Sequence, residues 1–341
     1  MELADRLRTR NGLSPADQRK VWARECASSG VNMNTFLFDP DSSLRVLSMN
    51  VFYGQTVDEN GENGAIDVSQ YSSLFRMGAD VVALQECVLG PLPEDSSLAN
   101  TASSYKKRGP HMKEWVERFP EKKFRSWWPR MKSLAKKHGY GVSKECGPYA
   151  SMYGQRFGNA VFSKIDINIA CIPALFRKSE FRGETENRSA VVARLPGLTV
   201  VNTHLSEKRT ADRFGETSQA RMIRNLLDRV DTEGPVLIVG DFNKSDPMTV
   251  PQNLLPFYKA AYDPAEDAQP YTVLRKNGFS CLRNDRATAW NARHPDQVCS
   301  NFMSADELHD AVTVVMPWNG QRVLSDHAAL AINMRNGKYT S

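Results

Sequence analysis

Short apolar runs of strand length recur along the chain, at 44–51, 81–84, 159–163, 189–195, 198–205, 236–239 and 328–334, with weaker ones at 297–302 and 311–316. Runs of four to eight residues rich in Val, Ile and Leu predict buried strands rather than helices. Pro196-Gly197 separates two of them and signals a tight turn, so 189–205 reads as a β-hairpin. Within 216–230, Met222, Ile223, Leu226, Leu227 and Val230 recur at helical spacing and form one apolar face. A second helix is expected over 69–77. A third starts at Ser14-Pro15-Ala16-Asp17, with Ser as the cap, Pro at the first helical position and an acid in the first turn, and runs to about Cys26. Residues 1–43 therefore read as a helical extension packed on a main domain over 44–335. Some strands follow helices and others follow hairpins. That mixture predicts mixed sheets with helices outside, a layered α+β arrangement.

Composition adds exclusions. With 41% apolar and 24% charged residues the chain is globular in type. No apolar run approaches the ~20 residues of a membrane-spanning helix. The first twenty residues lack a continuous apolar stretch, so no cleavable secretory signal is expected and an intracellular location, cytoplasmic or nuclear, is. Cys26, Cys87, Cys146, Cys171, Cys281 and Cys299 form no C-x-x-C pair, and reduced, buried thiols are expected.

The net charge is only +5, but it is unevenly spread. Residues 105–144 hold thirteen Lys and Arg against three Glu, a local charge of +10, interleaved with Tyr105, Trp115, Phe119, Phe124, Trp127, Trp128 and Tyr140. Met112, Trp115, Val116 and Phe119 have helical spacing, so part of this insertion is an amphipathic helix. Two readings stand side by side: a solvated basic face on a packed insertion, or a landing strip for phosphate backbones with aromatics that stack on bases.

Candidate chemistry sits where polar residues end the apolar runs. Asn50 closes the first and Glu86 the second; Asn202 and His204 close the hairpin; Asp241 and Asn243 follow 236–239; Asp326 and His327 precede the last strand. Any one of these has an ordinary explanation as a turn or core residue. Together, at the ends of rigid strands, they can converge. Carboxylates with amide oxygens make a hard, oxygen-rich set that suits Mg²⁺ or Mn²⁺ better than Zn²⁺. Metal, histidine and a water-orienting acid together describe hydrolysis of a phosphate ester.

The motifs Leu-Ser-Met-Asn50, Leu-Gln-Glu86, Gly158-Asn159-Ala160-Val-Phe-Ser163, Asn202-Thr-His204-Leu, Gly240-Asp241-Phe-Asn243 and Ser325-Asp326-His327 follow one another in that order. The chain thus resembles the endonuclease/exonuclease/phosphatase (DNase-I-like) superfamily from about Leu44 to Met334. The resemblance implies a four-layer α/β sandwich, two packed mixed sheets flanked by helices, with the site at one end. It implies Glu86 as the principal Mg²⁺ ligand, helped by Asn50 and Asp326, with Mn²⁺ able to substitute. Asp241, oriented by Asn243, would activate water or manage the leaving-group proton. His327 would act at the scissile phosphate with Asp296 as its orienting partner, and His204 would stabilise the phosphoryl oxygens. Asp296 follows Pro295, and a turn role is the other reading for it. Arg188 is a candidate phosphate contact or a surface salt bridge; Asn159 is a candidate to face the substrate.

The resemblance does not choose among substrates. The basic segment favours nucleic acid, and so a nuclease. The alternatives are a sphingomyelinase-like hydrolase and an inositol-phosphate or phosphoinositide phosphatase.

Overall fold

The computed structural model describes residues 13–54, 56–58, 67–91, 127–152, 155–175, 188–206, 211–212, 214–248, 264–283, 288 and 295–335. Two six-stranded sheets carry the fold. The first has the order β11–β12–β1–β2–β4–β3, built from β1 (Leu44–Asn50), β2 (Val81–Pro91), β3 (Val142–Met152), β4 (Gln155–Ser163), β11 (Val312–Val315) and β12 (Ala329–Met334). The second runs β5–β6–β7–β8–β10–β9, built from β5 (Asn168–Ile172), β6 (Ala190–Leu195), β7 (Leu198–His204), β8 (Val236–Asp241), β9 (Ser280–Cys281) and β10 (Asp296–Ser300). Each sheet holds one parallel pair, β1–β2 and β7–β8, and is otherwise antiparallel. A parallel pair needs a crossover, and helical segments supply it. One is a 3₁₀ turn at Val68–Tyr71 followed by α2 (Ser72–Arg76), and the other is α4 (Ser218–Leu227). The single helix expected over 69–77 is therefore two short pieces.

Strand alternation builds the layers. Val46, Val81, Ala83, Val200, Leu237, Val239 and Val298 meet between the sheets. Leu47, Met49, Val82 and Leu84 turn the other way, onto Phe75 and onto Trp127, Trp128 and Met131 of α3 (Trp127–Lys137). On the far side Val192, Val201 and Ile238 pack on Met222, Ile223 and Leu226 of α4 and on Tyr271 and Leu274 of α5 (Pro264–Lys276). The order helix–sheet–sheet–helix is the expected four-layer sandwich. Helix α6 (Ala305–Ala311), closed by a Ser304/Glu307 capping box, precedes β11.

Helix α1 (Pro15–Ser28) begins where the Ser14 cap predicts, with the Ser14 Oγ accepting from the Asp17 N–H. It packs on the body of the molecule: Trp22, Ala23 and Cys26 are buried with Val57, Met316, Val323 and Ala328.

Three expectations change. Trp127 and Trp128 are core residues, 0% and 3% exposed, so neither stacks on bases; the rest of the aromatic segment up to residue 126 lies outside the described residues. Arg188 is buried, so the surface-salt-bridge alternative falls. Four of the six cysteines, expected as reduced thiols, are bridged. Cys146–Cys171 joins β3 of one sheet to β5 of the other, and Cys281–Cys299 joins opposed positions on β9 and β10; Cys26 and Cys87 are buried thiols. Among the described residues no helix is long and apolar enough to cross a membrane.

Candidate active site

Alternation along the strands aims the site residues. In β1, Val46, Ser48 and Asn50 share the face between the sheets; so do Val200, Asn202 and His204 in β7, Leu237, Val239 and Asp241 in β8, and Val298 and Asp296 in β10. In each strand the apolar members lie deep and the polar one lies at the end. All these ends fall on one edge of the sandwich: β7 and β8 run parallel into it with His204 opposite Asp241, and β10 runs antiparallel with Asp296 opposite Asp241.

Glu86 is the exception. Val81, Ala83 and Gln85 take the inner face of β2, so simple alternation would send Glu86 outward. A bulge between Leu84 and Cys87 adds a residue against β4, and Glu86 has φ +55°. A bulge with one residue in the left-handed region re-aims a side chain, and non-glycine residues take that conformation at a cost. Asn243 (φ +56°) and Phe52 (φ +45°) share it, so all three such residues among those described border the site. Gly240, next to Asp241, is required sterically, because a Cβ there would lie 1.8 Å from the Thr203 carbonyl oxygen.

The hydrogen bonds join the candidates into one network. Asn50 Nδ2 donates to Asp241 Oδ2 (2.9 Å) and Asn50 also bonds to Glu86, while its Oδ1 accepts from the Phe52 N–H (2.9 Å). Asp241 Oδ1 accepts from the Asn243 N–H (2.7 Å). The Asn243 Nδ2 donates to the Leu205 carbonyl (2.9 Å), which fixes the amide, and lies 2.7 Å from His204 Nε2, which therefore accepts. His204 Nε2 also lies 3.5 Å from Asp241 Oδ2 and 3.9 Å from Glu86 Oε1. His327 Nδ1 is clamped by both oxygens of Asp296, at 2.9 and 3.0 Å, and its Nε2 faces Asp241 (3.7 Å) and Asp326 (3.9 Å). Pro295 stands just before β10, where a missing N–H costs nothing, so Asp296 is the strand's first residue and not a turn residue.

Burial and charge set the protonation states. Burial, then the charges of Asp326 and Asp241, push the Glu86 carboxyl up to about 8. Burial likewise raises Asp326 to about 6. Burial also acts to raise Asp241, but His327, His204 and the hydrogen bonds from Asn50 and Asn243 outweigh it and hold the group ionised. Burial opposes the His327 imidazolium, yet Asp296, Asp241 and Asp326 surround it and hold it well above its ordinary value. His204 is pushed well below its ordinary value by burial and then by Arg188, which places the buried guanidinium beside the cluster.

A family model for the endonuclease/exonuclease/phosphatase family matches residues 48–327, a span that holds every one of these groups. The chain belongs to the endonuclease/exonuclease/phosphatase family. Among solved structures, an endonuclease/exonuclease/phosphatase from Beutenbergia cavernae is similar at 18% identity and TM-score 0.57, over 87% of this chain and 72% of that one. An endonuclease/exonuclease/phosphatase family protein from Leptotrichia buccalis is similar at 12% identity and TM-score 0.51, over 85% and 98%. These likenesses describe the fold. No curated protein matches in sequence.

Within this family member, the residues that could hold a metal fall into two sets. Ligating atoms of Asp241, Asp296 and His327 lie within 4.8 Å of one another. His327 Nδ1, however, is already bonded to both Asp296 oxygens and its Nε2 is 3.7 Å from Asp241, so that trio is a chain of charge pairs around a histidine held above its ordinary value. Glu86 and Asp326, partly buried and raised by that burial, stand with Asn50 as an oxygen-rich set not committed to the His327 pair. They are the better fit to a hard divalent ion. Asn159 Nδ2 donates to the carbonyl of Ser189 (2.7 Å), the residue before β6, and so ties β4 to that strand.

Sequence reading singled out Asn202 but not the partner, Gln85, that it holds. Gln85 Nε2 donates to Asn202 Oδ1 (2.7 Å) and Ser48 Oγ (3.2 Å), and Asn202 Nδ2 donates to the carbonyls of Leu84 and Ala160 (2.9 Å each). This buried staple spans the sheets directly behind Glu86 and His204. Thr288 hydrogen-bonds Asp296 and its backbone N–H. Gln85, a polar residue beside the 81–84 apolar run, was the available signal.

Proposed function

We propose that the protein is a divalent-metal-dependent phosphodiesterase acting on nucleic acid. The observation that carries the hydrolytic reading is His327: one nitrogen is clamped by Asp296 while the other faces the ionised Asp241. Glu86 and Asp326, with Asn50, would hold Mg²⁺ or Mn²⁺, which when bound polarises phosphoryl oxygens as a Lewis acid. Asp241, kept ionised and aimed by Asn50 and Asn243, takes the proton of an attacking water. The His327 imidazolium donates to the phosphate from the other side, with Asp296 fixing its ring. His204 supports Asn243 and so Asp241, rather than presenting a donor to the phosphoryl oxygens as the resemblance implied. The buried Arg188 adds positive charge for the phosphate.

Nucleic acid is favoured by charge: residues 105–144 carry +10. Within the described part of that segment, α3 presents exposed Arg130, Lys132, Lys136 and Lys137, and the Trp127 indole at its start packs on Gly54, four residues past Asn50.

The test is a panel of p-nitrophenyl phosphate, bis-p-nitrophenyl phosphate, single- and double-stranded DNA, RNA, sphingomyelin and inositol phosphates, each with Mg²⁺ or EDTA. Cleavage of the diester and of a nucleic acid, stopped by EDTA, is expected. Full activity in metal-stripped protein, or turnover confined to the monoester, the lipid or the inositol phosphates, would overturn the proposal.

A further inference from the structure

Ser325 is a junction. Its hydroxyl donates to the Asn50 carbonyl (2.6 Å) and accepts from the His327 N–H (3.1 Å), so it ties the end of β1 to the segment that presents Asp326 and His327. Two consecutive carbonyls here are held from outside by aromatic donors. The Trp22 indole N–H donates to the Ser325 carbonyl (3.1 Å). The Tyr71 hydroxyl donates to the Leu324 carbonyl (3.1 Å) and shares that hydrogen with the carbonyl of Val51 (3.3 Å), the residue after Asn50. Both rings are buried, 2% and 0% exposed. A large, rigid side chain that spends its one polar atom on a neighbouring backbone fixes that backbone in direction as well as distance.

Tyr71 lies in the crossover from β1 to β2. Trp22 lies in α1, outside the 48–327 span of the family match and 303 residues from Ser325. The contact gives α1 a task that its apolar packing alone would not require.

We infer that Trp22 and Tyr71 are positioning residues for the hydrolysis: through the Ser325 junction they set where Asn50, Asp326 and His327 stand relative to one another, and α1 is part of the working enzyme. This rests on the assignment of those residues as the reacting end. A shift of about 1 Å in such groups costs turnover on the order of a hundredfold, while substrate affinity depends on other contacts. Loss of one pin should then act on kcat more than on KM.

The experiment compares Trp22→Phe, Tyr71→Phe, Ala23→Gly and Asp241→Asn in the full chain, with bis-p-nitrophenyl phosphate as the substrate. Both Phe variants keep a ring in the core and remove only the donor. Ala23→Gly loosens the same helix and leaves the Trp22 bond. Expected are a kcat loss of about tenfold or more in each Phe variant with KM within twofold of wild type, and a lowered melting temperature with wild-type kcat in Ala23→Gly. Wild-type kcat in folded Trp22→Phe and Tyr71→Phe would overturn the inference. So would kcat losses that track melting temperature across all three, Ala23→Gly included, since that is the mark of a merely structural role. If Trp22→Phe does not fold, Tyr71→Phe decides. Asp241→Asn separates the two readings: wild-type turnover there sinks the site assignment, whereas an inactive Asp241→Asn beside fully active Phe variants sinks only the inference about the pins.

Discussion

At Glu86 the ordinary alternation of a strand is overruled by one extra residue and a left-handed backbone, and the carboxylate that results is largely covered, among other acids. Its proton affinity has a consequence for stability. Glu86 binds a proton more tightly folded than unfolded, so its contribution is present below its ordinary value of 4.5 and disappears as pH climbs through about 8. His327, also raised, acts with the same sign above its own ordinary value, while His204, lowered, is silent in that window. Metal-free protein should therefore melt at progressively lower temperature as pH rises from about 7 to 8. Glu86→Gln should flatten that slope, and so should saturating Mg²⁺, which takes the proton's place. Thermal melts in EDTA across the range check this; a melting temperature that rises with pH would contradict it. Asp241→Asn and His327→Ala should each lower kcat by at least ~10², and the double variant should lose much less than the product if both act in one step. Steady-state kinetics on folded variants is the measure.

Elements differed in how openly the sequence announced them. Central strands such as β1 and β8 are runs of β-branched and aliphatic residues because both faces are covered. The edge strand β3 was hidden because it has one partner, polar residues and a Gly147-Pro148 step in its bulge, where a missing N–H is tolerated. Helix α5 was masked by Pro270 within it. The site residues were legible one by one because each ends an apolar run. The pairing of Asn202 with Gln85 was not, since they stand 117 residues apart and only the packing of one sheet on the other brings them together. That staple sets an expectation at this scale. Asn202→Ala would remove the shortest bond of the Gln85 amide and the side-chain donor to two strand carbonyls in a dry interior. A cost on the order of 3–5 kcal/mol should follow, read from denaturant midpoints, and a loss below about 1 kcal/mol would show that water replaces the staple.

For the molecule as a whole, charge is divided: the 105–144 segment carries +10 and the remainder about −5. Each phosphate neutralised adds about 0.7–0.9 to the slope of log affinity against log salt. Lys106, Lys107 and Arg108, all changed to Gln, should weaken nucleic-acid binding and flatten that slope, with hydrolysis of bis-p-nitrophenyl phosphate nearly unchanged. An unaltered slope in a salt titration would remove these three from the contact.

Two sheets have four outer strands, here β3, β5, β9 and β11. The Cys146–Cys171 bridge tethers β3 to β5, and Cys281–Cys299 tethers β9 to its neighbour. The fourth, β11, is overlaid just past its end by the Asn32–Met316 bridge from the connection after α1. Outer strands are where a sheet can recruit a stranger, because their unpaired N–H and C=O groups template further pairing. Reduction frees three of these margins without cutting any bond at the reacting end. A reductant should thus announce itself first as turbidity that grows with protein concentration, while the dilute protein keeps its turnover.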